Sequence, residues 1–198
     1  MRVYLKILVM LCLLAFPAWA LQLLPNPTQA LQLSANQALK RGELKEMEAS
    51  LKEGERIALE HENPYVQANS LRYIASIWAK AERTEEARRV FMLAMEHAIA
   101  IPTWNHRLYA SIGILEMQRR SNDLDGVRDN GLKAVESGLL EKVAETGHAA
   151  ETGRFFTALN GALTEDERQE IRVRISKVQN PEFQRKAYHA LNAITVRD

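Results

Sequence analysis

Five histidines are the residues best suited to chemistry in this chain: His61, His97, His106, His148 and His189. Imidazole titrates near neutral pH and, when neutral, is the commonest protein ligand for transition metals. One of the five stands in a pattern with a known use. Glu145-Thr146-Gly147-His148 is a Glu-x-x-His, which sets a carboxylate and an imidazole on one face of a helix. Carboxylate-bridged di-iron bundles are built that way, but they need two such motifs and two further inward glutamates. The residues three before the other histidines are Ala58, Ala94, Thr103 and Lys186, so there is no second copy. A metal site on Glu145 and His148 is therefore an alternative reading, and surface or helix-edge histidines are the plainer one. No His-Glu-x-x-His, no Gly-x-Ser-x-Gly and no phosphate-cradling glycine loop occurs. The residues point to no cofactor and to no catalysis.

The elements that would position any site begin after an N-terminal targeting segment. Residues 1–20 carry Arg2 and Lys6, then an unbroken apolar run from Ile7 to Phe16, then Pro17 and the small-residue pattern Ala18-Trp19-Ala20. This is the arrangement of a cleaved signal peptide, cut after Ala20, and the run is well short of the roughly 20 residues needed to span a bilayer. The expected location is the periplasm or the secreted space, with no stable membrane insertion once the segment is removed. Cys12, the single cysteine, lies in the apolar run after Leu11, where lipoprotein processing requires a small residue, so lipid attachment is not expected. The exported chain, 21–198, then has no thiol and no disulfide, and packing alone must hold it. Its 25 Asp and Glu face all but two of the 26 Lys and Arg, with both signs interspersed. That near-neutral balance argues against nucleic acid as a partner.

Periodic apolar stripes make the exported chain all-helical. In Ala68 to Ile101, Leu71, Ile74, Ala75 and Trp78 form one face of a helix. A polar break at Ala81-Glu82-Arg83-Thr84 follows, and Ala87, Val90, Phe91, Ala94 and Ala98 form a second face. This unit resembles the tetratricopeptide repeat, whose pattern of bulky, apolar, small and aromatic residues is matched by Leu71, Ile74, Ala75, Trp78, Ala87, Phe91 and Ala94. With Thr28 as first position, Leu31, Ala35, Ala38, Met47, Leu51 and Gly54 fall on the same core positions of an N-terminal unit with a turn at Lys40 to Glu43. Pro27, Pro64 and Pro102 are 37 and 38 residues apart, with Pro181 a further 79 along, which sets a repeat of about 38 residues starting at prolines. The third unit, Pro102 to Gly138, turns at Ser121-Asn122-Asp123, with Asn122 or Asp123 as N-cap; offsets of 35, 38 and 39 all align it with the second.

Beyond Leu139 the pattern fades. Residues 139–163 read as one helix interrupted by Gly147 and Gly153 or as two short ones. Thr164 and Glu167 form a capping box, and Asn180-Pro181 starts a last half-unit carrying Phe183, Ala187, Leu191 and Ile194. The expected fold is a right-handed α-solenoid of three to four helical hairpins, closed by a C-terminal capping helix.

What the resemblance implies for function is a scaffold whose first helices line a concave wall. By the family's spacing that wall carries Gln29, Gln32, Asn36 and Lys40 in the first unit and Asn69, Arg72, Ser76 and Lys80 in the second. In the proline-aligned third unit it carries Arg107 and Gln118. Amides and scattered cations suit the backbone groups or the carboxylate terminus of an extended peptide. The reading is a non-catalytic adaptor for a peptide segment or helix of another envelope protein; a self-assembling structural protein is the alternative of a different class.

Overall fold

The computed structural model describes residues 27–146 and 149–197. The predicted signal segment with its cut after Ala20, Cys12, Gly147 and His148 lie outside the described residues. All regular structure among the described residues is helical. The helices are α1 (Pro27–Arg41), α2 (Leu44–Glu60), α3 (Pro64–Lys80), α4 (Thr84–Ile99) and α5 (Trp104–Arg120), followed by α6 (Leu124–Glu136), α7 (Leu139–Thr146), α8 (Ala149–Ala158), α9 (Glu165–Lys177) and α10 (Pro181–Asn192). They fall into two compact units divided between Ile57 and Ala58.

In the first unit α1 and the start of α2 form a hairpin. Ala35, Ala38, Met47 and Leu51 are completely buried. Leu31 is half-buried, and Leu44 stands 43% exposed at the helix start. The turn between the helices is a Schellman cap. Gly42, at φ +73°, donates its N–H to the Leu39 carbonyl at 3.0 Å, and Glu43 donates to Ala38 at 2.9 Å.

The same cap recurs twice in the second unit. Glu82 (φ 60°) donates to Ala79 and Arg83 to Trp78, both at 3.0 Å; Asn122 (φ 58°) donates to Arg119 at 2.9 Å and Asp123 to Gln118 at 3.4 Å. The left-handed residue therefore sits at 42, 82 and 122, and the repeat is 40 residues long across all three hairpins. This corrects the proline-based interval and the three competing offsets. Pro27, Pro64 and Pro181 each open a helix, but Pro102 lies in the loop ahead of Thr103, the N-cap of α5. Loops between hairpins vary in length, so proline is a poor ruler; the helix–helix joint, set by the cap, is a good one.

Counted by forties, the core positions coincide. Met47, Ala87 and Val127 are buried, as are Leu51, Phe91 and Gly131, and Gly54, Ala94 and Ala134. At Gly131 the missing side chain is replaced by Leu159, which occupies the place a Cβ would need. Trp78 and Phe91, 2% and 0% exposed, fill the space between α3 and α4. Burying each is worth about 1.5–3 kcal/mol.

Within this unit α5 is central: it packs against α3, α4, α6, α7 and α8. Such an element is apolar on most of its circumference, and Leu108, Ile112, Ile114 and Leu115 are buried. Tyr109, on the same helix, is 45% exposed. Of the two readings left open for 139–163, the two-helix one describes α7 and α8, with Gly153 inside α8. Phe155 and Phe156 of α8 meet edge to face at 5.6 Å, both fully buried. The capping box at α9 is formed as expected, Thr164 N–H to Glu167 Oε2 at 2.9 Å and Glu167 N–H to Thr164 Oγ1 at 3.4 Å. Asn180 caps α10 by accepting from the Phe183 N–H at 3.0 Å, and Phe183, Ala187 and Leu191 bury its inner face against α8 and α9.

Candidate functional site

The first helices of the second unit, α3 and α5, lie side by side. On α3, Arg72, Ser76 and Lys80 follow at i, i+4 and i+8, which puts them on one stripe. On α5, Gly113, Met117 and Arg120 follow at nearly the same spacing. Where Arg72 crosses α5, Gly113 provides a notch: a methyl group there would sit on the Arg72 guanidinium. The Arg72 Cζ also lies 4.9 Å from the centre of the Tyr73 ring. Its Nε is buried without a hydrogen-bond partner among the described residues. A buried donor left unpaired costs about 1–3 kcal/mol.

One and two turns further along, the stripe opens into a cleft of about 380 Å³ lined by Ser76, Lys80, Met117, Arg120 and Asn122. Ser76 is turned inward, donating to the Tyr73 carbonyl at 2.7 Å. Lys80 and Arg120 are exposed. A second hollow, about 460 Å³, shares Arg120 and continues past Glu116 and Arg119 to Arg154 and Thr157 of α8. Its other charges are committed: Arg154 pairs with Glu116 at 2.8 Å, and Arg119 donates to the Asn160 carbonyl. Three exposed aromatics complete the surface. Tyr65 meets the His106 ring at a 44° tilt, with ring centres 5.2 Å apart. Tyr73 is 43% exposed. Tyr109 donates its hydroxyl to Glu151 at 3.1 Å, a bond that pushes its pKa up.

The structure thus brings Arg72, Ser76 and Lys80 together, with half-buried Asn69 a turn earlier. It does not bring Arg107 or Gln118 to them. Arg107 spends its guanidinium on the Ile101 carbonyl, at 2.9 and 3.1 Å, and so closes the loop before α5. Gln118 is a correction: it is fully buried and cannot line a wall open to solvent. Its Nε2 donates to Asp123 Oδ2 at 2.9 Å and its Oε1 accepts from Asn130 at 2.8 Å, while Arg88 pairs with Asp123 from α4. Gly126 leaves room for this network, since a Cβ there would strike both Gln118 and Asp123. Burial raises the Asp123 pKa, but Arg88, Gln118 and the Gly126 N–H outweigh it and hold the carboxyl below its ordinary value.

Both misplacements came from the proline alignment. Counting 40 from Asn69, Arg72, Ser76 and Lys80 leads to Tyr109, Ile112, Glu116 and Arg120, two of which, Glu116 and Arg120, line the hollows. The turn residues carried that register. In the first unit, Asn36 donates to the Gln32 carbonyl at 3.0 Å, Gln29 and Lys40 are exposed, and Gln29 and Gln32 each have further interactions.

His61 accepts the Asn63 N–H at 3.0 Å in the loop ahead of α3. His97 is half-buried, which lowers its pKa. Glu145, half of the possible metal pair, is exposed and bound to Lys142 at 2.9 Å. No group of three or more metal-ligating side chains occurs among the described residues, and none of their helices is long and apolar enough to cross a membrane. On α9, Arg168 pairs with Glu165 and Arg172 donates to the Asn192 side chain at 2.6 Å. Comparison with family models, curated proteins and solved structures returned no match.

Proposed function

We propose that the protein is an exported, non-catalytic scaffold of tetratricopeptide-like hairpins, stacked as a right-handed solenoid with α10 as its cap. Its first-helix face holds an extended segment of another cell-envelope protein. The observation that carries this reading is Arg72, seated on Gly113 and beside Tyr73 with no acceptor for its buried Nε. A guanidinium in that state is a prepared donor for a carboxylate or a backbone carbonyl. The exposed Tyr65, Tyr73 and Tyr109 offer rigid amphipathic area for the remainder of the segment.

Charge reversal tests it. Arg72→Glu with Lys80→Glu is expected to abolish isolation of the partner with the tagged protein from envelope extracts. Reversal of Glu85 on α4 is expected to leave that isolation intact. If the double reversal leaves every interaction unchanged while the protein stays folded, the face has been misassigned. A sedimentation series over concentration tests the self-assembly alternative, for which association rising with concentration is the signature.

A further inference from the structure

We infer that the segment bound by this face is acidic and presents two carboxylate side chains about 12 Å apart, one to Arg72 and one to Lys80 and Arg120. This rests on the peptide-binding reading above and adds the chemistry of the ligand. Charge is sorted by helix in a chain that is nearly neutral overall. The first helices α1, α3 and α5 hold seven Lys or Arg and a single acid, Glu116, which pairs with Arg154. Arg41 pairs with Glu43 and Glu46, and Arg107 and Arg119 donate to backbone carbonyls, which leaves Arg72, Lys80 and Arg120 on α3 and α5. The second helices α2, α4 and α6 hold the same seven cations but eleven Asp or Glu. Solubility requires no such division, since interspersed signs serve it equally well. A surface that binds anions does.

The spacing follows from the helix. Arg72 and Lys80 are eight residues apart on α3, about 12 Å at a rise of ~1.5 Å per residue. An extended chain advances roughly 3.3 Å per residue, so side chains four apart on it lie about 13 Å apart on the same side. The fitting motif is a pair of acidic residues at i and i+4 in an extended segment. A nucleic acid fits less well, because the acid surplus of α2, α4 and α6 repels a polyanion longer than the stripe.

Capped twelve-residue peptides, amidated so that no terminal carboxylate contributes, carry two glutamates spaced two, three, four or five apart, with a glutamine version of each. Binding is read from the backbone amide NMR shifts of Ser76, Gly113 and Met117 in the full chain. The spacing-four glutamate peptide is expected to bind about tenfold more tightly than its glutamine version and to weaken as salt rises from low to physiological strength. Lys80→Gln with Arg120→Gln, both exposed and safe for folding, is expected to remove most of that advantage, as is Arg72→Gln. Equal binding of glutamine and glutamate peptides at these amides overturns the acidic ligand and leaves the peptide-binding reading standing. Indifference to spacing overturns the two-point match. Stronger displacement of the same amides by a twenty-residue oligothymidine overturns it in favour of nucleic acid. No shift with any peptide at millimolar concentration overturns the inference, and the charge-reversal experiment then decides the broader reading independently.

Discussion

Gly113 and Arg72 show how one absent side chain shapes the surface. Gly113→Ala would place a methyl group on the guanidinium, the mobile end of a long side chain, and on nothing else nearby. The helix itself favours alanine by about 1 kcal/mol. Thermal unfolding is therefore expected to show unchanged or slightly raised stability, while partner isolation falls as it does for Arg72→Glu. Gly126 is the opposite case, because its neighbours are the buried Gln118 amide and the Asp123 carboxylate. Asp123→Ala removes the N-cap of α6 and strands Gln118, the Gly126 N–H and Arg88. We expect a loss of about 2–4 kcal/mol by urea unfolding. The pH dependence has a definite sign. The folded carboxyl ionises more readily than the unfolded one, so its contribution is complete above the unfolded value of about 4 and is lost as pH falls through the folded value. Asp123→Asn should flatten the decline of stability below about pH 4. An unchanged acid profile would show that the network contributes nothing.

Among elements, the helix boundaries were largely legible. Asn63-Pro64, Asn180-Pro181 and Thr164 with Glu167 marked helix starts by side chains whose capping chemistry is local, and the structure uses all three. The stripe from Leu71 to Ala98 was legible because each residue buries against its own hairpin. What was not legible depends on neighbours. Gln118 reads as a polar residue on a helix face until Asn130, Asp123 and the small Gly126 are placed around it. Pro102 reads as a helix start, but the chain enters α5 two residues later. The repeated Schellman cap gives a prediction of its own. Glu82 holds φ 60°, a conformation that costs an ordinary residue about 1–2 kcal/mol and glycine almost none. Glu82→Gly is expected to stabilise by about 0.5–1 kcal/mol after the entropy of the unfolded chain is counted, and Gly42→Ala to destabilise by about 1 kcal/mol. Chemical denaturation reads both; a loss on Glu82→Gly would contradict the cap assignment.

For the molecule as a whole, the division of charge between first and second helices links the fold to the proposed function. With the left-handed residues 40 apart, Lys40, Lys80 and Arg120 each fall in the last turn of their own helix, just before that residue. Roughly half of the α3–α5 stripe could be read from sequence, namely Arg72, Ser76 and Lys80, because their i, i+4, i+8 spacing lies within one helix. Gly113, Met117 and Arg120 come from the adjacent helix and required its register. The central claim, that this face grips a segment of a partner, is tested most directly by site-specific photo-crosslinking in living cells. A photoreactive residue replaces Ser76 or Lys80 on the stripe, or exposed Met92 on α4. The account predicts one adduct of the same mass from both stripe positions and none from Met92. Adducts from Met92 alone, or equally from all three, would contradict it.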